Sequence, residues 1–131
     1  MNEYFVDSTV WIEFFKGGSK EINDFLMPLI DEDRVFYNGI ILTELLIGAI
    51  NEKEYNFLRE NFEGFKYLEI DRNTFKETSQ IGFNLRRNGV TIPITDLMIT
   101  AHCIKHNLTI VTKDKHFKLI NEKLKLRIKY F

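Results

Sequence analysis

The chain has 131 residues and a formal net charge of −1, and 44% of its residues are apolar, which is typical of one folded domain over residues 1–131 and excludes a disordered or fibrous chain. Its one cysteine, Cys103, excludes an internal disulfide and a Cys-cluster metal site. No stretch approaches the roughly 18 apolar residues of a membrane span and no apolar signal segment follows Met1, so we expect a cytoplasmic protein with no membrane contact.

Short apolar segments alternate with stretches of helical periodicity along the chain. The first predicted strand ends at an acid, Asp7, and the first predicted helix ends at Gly17 and Gly18. In chain order we predict strand Tyr4–Val6, helix Ser8–Phe15, helix 22–30, strand Arg34–Tyr37, helix Gly39–Ile50, helix Glu52–Phe62, strand Lys66–Ile70, helix Asn73–Arg87, helix Thr95–His106, strand Leu108–Val111, helix Asp114–Lys123 and strand Leu126–Tyr130. This alternation predicts an α/β domain whose mostly parallel central sheet is covered by helices on both faces.

Two acids follow predicted strands. Asp7 comes directly after the first strand, and Asp114 comes three residues after the strand Leu108–Val111. Open α/β sheets place their sites at the C-terminal ends of strands, which favours a functional role for both acids. Each acid also precedes a predicted helix, where N-capping alone would account for it. Both interpretations are open for these two residues.

Two further acids lie on predicted helices that are largely apolar. The neighbours of Glu44 on its helix face are Ile40, Ile41 and Ile47, with no Lys or Arg three or four residues away. We therefore expect Glu44 to be buried, and hence protonated, paired across the fold or bound to a cation. Asp96 lies in the first turn of its helix, where a favourable interaction with the helix dipole, worth about 0.3–1 kcal/mol, is an alternative reason for its presence.

Four converging carboxylates would need a cation. Two carboxylates about 4 Å apart repel by roughly 4 kcal/mol at an effective dielectric constant of 20, so four stay ionised together only beside positive charge. A cluster of carboxylate oxygens suits Mg²⁺ or Mn²⁺, and such ions stabilise the attacking and leaving oxygens of a phosphodiester during in-line displacement. If they converge, the four acids therefore predict metal-assisted phosphodiester hydrolysis.

Four motifs, in this order and spacing, resemble those of the PIN domain family, and within it the VapC-type ribonuclease toxins of toxin–antitoxin pairs. The motifs are Val6–Ile12, Thr43–Gly48, Ile94–Ala101 and Val111–Phe117. The resemblance implies a PIN-like three-layer sandwich around a five-stranded parallel sheet in the order 3-2-1-4-5. In that order the ends of the strands before Asp7 and Asp114 lie side by side.

The resemblance also implies an activity and its metal site. It implies a Mg²⁺-dependent endoribonuclease, with Mn²⁺ as an alternative ion, that cuts single-stranded or looped RNA. The family's acidic metal-site positions carry over to Asp7, Glu44, Asp96 and Asp114. The first three would hold the principal ion, and Asp114 would complete the site or hold a second ion.

Partners are implied by the resemblance alone. It implies a homodimer, inhibited by a small VapB-like antitoxin protein that inserts into a groove near the site. Candidate apolar helix faces for these contacts are those at Trp11, Ile12 and Phe15 and those around Phe57 and Phe62. Ordinary burial is the alternative explanation for these side chains.

Basic residues are concentrated near the end of the chain. Residues 1–72 hold 15 acids and 7 bases, whereas residues 100–131 hold 2 acids and 8 bases. A phosphate-facing surface and a solvated face balanced by an acidic one both account for this asymmetry. Candidate substrate contacts are Arg86, Arg87, Lys113, Lys115 and Lys118, with the hydroxyls of Ser8 and Thr112. Helix-dipole compensation would explain the arginines, and local capping the hydroxyls, equally well.

Three other functions compete with a nuclease. A non-catalytic PIN-like domain that binds RNA or protein would have no reason to keep four mutually repelling carboxylates. A zinc site at His102, Cys103 and His106 is disfavoured because no catalytic Glu and no evident further ligand accompany them. A receiver-like signalling domain would need a second acid beside Asp7, where Val6 and Ser8 stand instead.

Overall fold

The computed structural model describes residues 1–131 and contains five strands and seven helices. In chain order these are β1 (Tyr4–Val6), α1 (Ser8–Lys16), α2 (Lys20–Asp31), β2 (Val35–Asn38), α3 (Gly39–Ile47), α4 (Glu52–Phe62), β3 (Lys66–Leu68), α5 (Arg72–Arg87), α6 (Ile94–His106), β4 (Thr109–Thr112), α7 (His116–Lys123) and β5 (Ile128–Tyr130). Every predicted strand and helix is present. No helix has the length and apolar content that crossing a membrane requires.

The five strands form one parallel sheet in the order β3-β2-β1-β4-β5. The predicted strand order is therefore confirmed, with the helices flanking the sheet. The central strand β1 pairs with β4 from Tyr4 to Val6, where Val6 lies opposite Val111. Because parallel neighbours end at the same edge of a sheet, this register brings Asp7 and the residues after Val111 together.

Several predicted element ends differ from the structure by a few residues. Helix α3 ends at Ile47 rather than Ile50, because the side chain of Asn51 accepts a hydrogen bond from the Glu54 backbone N–H and so begins α4 there. Helix α7 begins at His116 rather than Asp114, since the Asp114 carboxylate accepts the backbone N–H of His116 from outside the helix.

An aromatic cluster forms the part of the core around α1. Trp11 is fully buried, and its ring centroid lies 5.2–5.5 Å from those of Phe14, Phe15, Phe62 and Phe65. Phe62 is also fully buried. Burial is therefore the correct explanation for Trp11 and Phe62, which are not available to a partner.

A buried histidine joins the start of α3 to α6. Asn38 caps α3, since its side-chain oxygen accepts the backbone N–H groups of Ile40 and Ile41 at 3.1 and 3.2 Å. The same side chain lies 3.0 Å from Nδ1 of His102, whose Nε2 lies 3.1 Å from the carbonyl oxygen of Glu69. The amide therefore donates to Nδ1 and Nε2–H donates to the carbonyl, so protein groups occupy both ring nitrogens of His102, leaving neither for a zinc ion.

Candidate metal site at the carboxyl end of the sheet

Asp7 is held at the end of β1 by two hydroxyl groups. Its side chain is almost completely buried, at 4% exposure for the residue. The hydroxyls of Thr9 and Thr112 both donate to Asp7 Oδ2, at 2.8 and 2.9 Å. Asp7 occupies the N-cap position of α1, but its side chain makes no capping hydrogen bond. Capping therefore does not account for this acid. Its carboxylate is held by one hydroxyl from α1 and one from the end of β4.

Thr112, at the end of β4, connects Asp7 to the turn that carries Asp114. Its hydroxyl accepts the backbone N–H of Asp114 at 2.9 Å while it donates to Asp7. Thr112 is fully buried, so the hydroxyl faces these two residues rather than solvent. A single hydroxyl thus sets the relative position of the two strand-end acids.

Asp96 and Asp114 meet around a histidine, His116. Asp96 is on the first turn of α6, with its side chain 13% exposed, and its Oδ2 lies 2.9 Å from His116 Nδ1. The same nitrogen lies 3.2 Å from Asp114 Oδ1, which also accepts the backbone N–H of His116. His116 was not among the predicted site residues. The only available signal was its place two residues after Asp114 in the fourth motif.

Glu44 lies at the rim of the cluster, and the expectation that it is buried is wrong. The residue is exposed, and Ser8 Oγ donates to its Oε1 at 3.5 Å, the limit of a hydrogen bond. Ile47, one turn further along the same face, is 80% exposed. The apolar neighbours of Glu44 thus mark an open surface of α3 rather than the core.

Three of the four carboxyls have a pKa above the ordinary value. Loss of surrounding water is the main cause for each of Asp7, Glu44 and Asp96, through burial at Asp7 and Asp96 and through partial cover by the neighbouring groups at the exposed Glu44. At Asp7 the two threonine hydroxyls oppose the rise in pKa, and at Asp96 the hydrogen bond from His116 opposes it. Repulsion from Asp7 and Asp96 further raises the pKa of Glu44, and repulsion from Asp114 contributes to all three shifts. The structure therefore brings all four acids into one electrostatic cluster.

No lysine or arginine neutralises this cluster. None of the four acids forms an ion pair with Lys or Arg, and Lys113, next to Asp114, pairs with Glu13 of α1 instead. Asp96, Asp114 and His116 each offer a ligand atom, and these atoms lie within 4.8 Å of one another. Carboxylate oxygens, one imidazole nitrogen and uncompensated negative charge make a donor set that fits a divalent cation.

The other predicted contact residues lie around the cluster or beyond it. Ser8 is buried beside Glu44, and Lys115 and Lys118 are exposed near Asp114, with Lys118 Nζ 5.3 Å from the centroid of the Tyr130 ring. Arg86 and Arg87 are exposed at the end of α5. Arg87 lies over the Phe83 ring, at 5.5 Å from the centroid, and no hydrogen bond joins either arginine to the four acids.

Comparison with known proteins identifies the family. The sequence profile described as PIN domain matches residues 4–123. The chain belongs to the PIN domain family. The protein described as VapC ribonuclease Mb1587, from Mycobacterium bovis, is 28% identical to this chain over 119 residues, covering 88% of this chain and 89% of that protein. Ribonuclease VapC of Rickettsia bellii is 34% identical over 98 residues, covering 69% of this chain and 73% of that protein.

Solved structures share the PIN fold over the whole chain. The DNA-bound VapBC structure from Salmonella typhimurium has a TM-score of 0.82 to this PIN domain, with 24% identity, covering 99% of this chain and 98% of that chain. This agreement shows the shared fold, and the named relatives place the chain among the VapC-type PIN domains, as the four motifs predicted.

Proposed function

We propose that this PIN domain is a divalent-metal-dependent endoribonuclease that hydrolyses phosphodiester bonds of single-stranded or looped RNA. In this proposal residues 1–131 form one domain that acts as the toxin of a cytoplasmic toxin–antitoxin pair. The observation that carries it is the convergence of four carboxylates without any lysine or arginine partner. The names of its VapC relatives, which are ribonucleases, support the same conclusion.

Each acid has a proposed role in the site. Asp7, Glu44 and Asp96 would hold the principal Mg²⁺ or Mn²⁺, directly or through water, and Asp114 would complete the site or hold a second ion. A bound ion of this kind makes water a better nucleophile at neutral pH and neutralises charge that develops on the phosphate. The hydroxyls of Thr9 and Thr112 both donate to Asp7 Oδ2, so Oδ1 would be its ligand atom for the ion. This scheme requires no side-chain general base.

Residues that flank the acids are proposed to contact the RNA backbone. Lys113 and Lys115 stand on either side of Asp114 and are exposed, which suits phosphate contacts. Ser8 and Thr112 are buried, so we propose that they position Glu44 and Asp7, which their hydroxyls bind, rather than contact the RNA. Arg86 and Arg87 are proposed to contact more distant phosphates from the end of α5.

Cleavage of labelled RNA tests the proposed function. Purified protein is incubated with unstructured and hairpin RNAs in Mg²⁺, in Mn²⁺ and in EDTA. We expect cuts in the two metal-ion reactions and none in EDTA. A folded protein that binds the ion and RNA yet cuts none of these substrates would overturn the nuclease and favour the alternative, a non-catalytic PIN-like domain that binds RNA or protein.

We also propose that a small antitoxin protein of the VapB type binds beside the site. A groove of about 710 Å³ runs between α1, α3 and α4. Ile12 and Phe57, which are 44% and 55% exposed, line this groove, and Glu44 forms part of its wall. Exposed apolar side chains in such a groove suit the apolar face of a partner segment. The similar Salmonella typhimurium structure is a VapBC assembly, which supports a partner of this kind.

The Phe57→Ala variant is expected to bind a VapB-type antitoxin at least about 30-fold more weakly, because buried aromatic anchors carry much of the binding energy at interfaces. RNA cleavage should be unchanged, since Phe57 is apolar and is not among the residues proposed to hold the ion or contact the RNA. Titration calorimetry measures the affinity. Tyr55→Ala is the matched control, because Tyr55 is an exposed aromatic residue of the same helix that does not line the groove. Equal affinity for wild type and Phe57→Ala would contradict the proposed groove.

A homodimer is proposed on the α5–α6 face. Phe75, Phe83 and Ile94 are each more than half exposed there and line a second cavity, of about 360 Å³. Exposed apolar side chains that lie together are typical of an interface. We expect light scattering to give the mass of two chains for the wild type and of one chain for Phe83→Asp. A monomeric wild type at micromolar concentration would contradict the proposed dimer.

A further inference from the structure

We propose that His116 is a ligand of the cation, through Nδ1, together with Asp96 and Asp114. A site with this imidazole prefers a first-row transition ion such as Mn²⁺ to Mg²⁺ more strongly than carboxylates alone would. The proposal rests on the metal-dependent function proposed above. It adds a nitrogen donor to a cluster in which only acids were expected.

The spacing of the three donor atoms fits one ion. His116 Nδ1 lies 2.9 Å from Asp96 Oδ2 and 3.2 Å from Asp114 Oδ1. Ligand atoms at adjacent corners of an octahedron, with bonds of 2.0–2.2 Å, lie about 3 Å apart. Both separations between the imidazole and a carboxylate are thus those of adjacent ligands, and all three donor atoms lie within 4.8 Å of one another. An ion could bind them without a large movement of the backbone.

The turn between β4 and α7 fixes the position of the imidazole. The Thr112 hydroxyl accepts the Asp114 backbone N–H, and the Asp114 carboxylate accepts the His116 backbone N–H, each at 2.9 Å. Phe117, the next residue, is fully buried and anchors the start of α7 to the core. His116 is therefore presented to the two acids by a hydrogen-bonded turn with a buried anchor, rather than by a free surface loop.

Nε2, the second ring nitrogen of His116, can carry the ring proton, which makes Nδ1 available as a ligand. A histidine ligates through an unprotonated nitrogen while the other nitrogen carries the proton. Nε2 of His116 has no hydrogen bond to another protein group, and the side chain is 43% exposed. Without an ion, Nδ1–H donates to Asp96; when an ion takes the place of that proton, Nε2 can carry the ring proton towards solvent. By contrast, both nitrogens of His102 already have protein partners.

The donor set determines which ion is favoured. Mg²⁺ is a hard cation that takes oxygen ligands and keeps several of its waters, whereas imidazole suits transition ions. The alternative role for His116 is to donate a hydrogen bond to Asp96 and Asp114 and orient them. In that role it would support Mg²⁺ and Mn²⁺ to the same extent. The two roles therefore differ in ion preference and in the presence of a metal–nitrogen bond.

Pulsed electron paramagnetic resonance of the Mn²⁺-loaded protein tests for that bond. We expect the ¹⁴N coupling of a coordinated imidazole in the wild type and in His106→Gln, and its loss in His116→Gln. His106 is the matched control, because it is an exposed histidine at the end of α6 that forms no hydrogen bond or ion pair with any of the four acids. Calorimetry should show that His116→Gln weakens Mn²⁺ binding about tenfold or more, and Mg²⁺ binding much less.

Two results would overturn the ligand role of His116. They are the absence of ¹⁴N coupling in the wild type, and equal weakening of Mg²⁺ and Mn²⁺ binding by His116→Gln. A different result would overturn the proposed function itself: a folded wild type that binds neither ion, or Mn²⁺ binding that is unchanged in Asp96→Asn. Circular dichroism confirms that each variant is folded before either conclusion is drawn.

Discussion

The Asp96→Asn variant is expected to lose ribonuclease activity by a factor of about 100 or more while it keeps its fold. Loss of a residue that only supports a metal ligand typically costs 10–100-fold, so loss of a charged ligand should reach or exceed the upper end of that range. The fold should survive because asparagine has the same size. The hydroxyl of Thr100 bonds to the backbone oxygen of Asp96, which the substitution leaves intact.

Steady-state cleavage of a labelled RNA at several Mg²⁺ concentrations measures this effect. Asp24→Asn is the matched control, because Asp24 is an exposed acid of α2 that pairs with Lys20, and its loss should leave activity unchanged. The expected loss of activity in Asp96→Asn should be smallest at the highest Mg²⁺ concentration. A folded Asp96→Asn protein with wild-type activity would remove Asp96 from the metal site.

The Asp7→Asn variant is expected to be inactive and yet more stable than the wild type when no metal ion is present. Burial raises the pKa of Asp7 in the folded protein above its unfolded value. The protonated carboxyl therefore adds stability below the unfolded pKa, and this contribution is lost as the pH rises through the folded pKa. Above the folded pKa the folded chain holds a buried carboxylate with no Lys or Arg partner. Asparagine removes that charge and retains an oxygen that can accept from Thr9 and Thr112.

Urea unfolding in EDTA at pH 7 measures this gain, which we expect to be on the order of 1–3 kcal/mol in the free energy of unfolding. The difference should shrink as the pH falls towards the unfolded pKa, where the wild-type carboxyl is protonated in both states. Added Mn²⁺ should then stabilise the wild type and not the variant, since the ion binds only the folded wild-type site. A variant less stable than the wild type at pH 7 in EDTA would contradict the electrostatic account of Asp7.

Sequence patterns predicted the sheet and the two acids at its strand ends, because both follow from the order in which strands, helices and acids occur along the chain. Strand–helix alternation marks a parallel sheet, and Asp7 and Asp114 stand beside strands whose ends must meet once β1 pairs with β4. The motif resemblance supplied the strand order, which periodicity alone does not determine. The sheet and its two strand-end acids therefore follow from the order of residues along the chain together with the motifs.

The features that sequence analysis missed depend on contacts between distant segments. His116 meets Asp96 across 20 residues, through a turn whose hydrogen bonds leave no periodic pattern. Glu44 was misplaced because apolar neighbours on a helix signal either a core or a groove, and here they face the groove between α1, α3 and α4. Trp11 and Ile12 are adjacent in sequence, yet Trp11 is in the core and Ile12 lines the groove. Only the packing of α1 against α3 and α4 separates them.

The buried hydrogen-bonded bridge from Asn38 through His102 to Glu69 should make the protein less stable to unfolding at acidic pH. Burial lowers the pKa of His102, so the folded chain holds a neutral imidazole where the unfolded chain binds a proton below about pH 6.5. The stabilisation is complete above that pH and declines as the pH falls towards the folded pKa, because unfolding then takes up a proton. Urea midpoints between pH 7.5 and 5.5 should fall more steeply for the wild type than for His102→Gln. The bridge joins α3, which carries Glu44, to α6, which carries Asp96. Protonation of His102 would break the Asn38 hydrogen bond, so α3 and α6 would no longer hold Glu44 and Asp96 at a fixed separation.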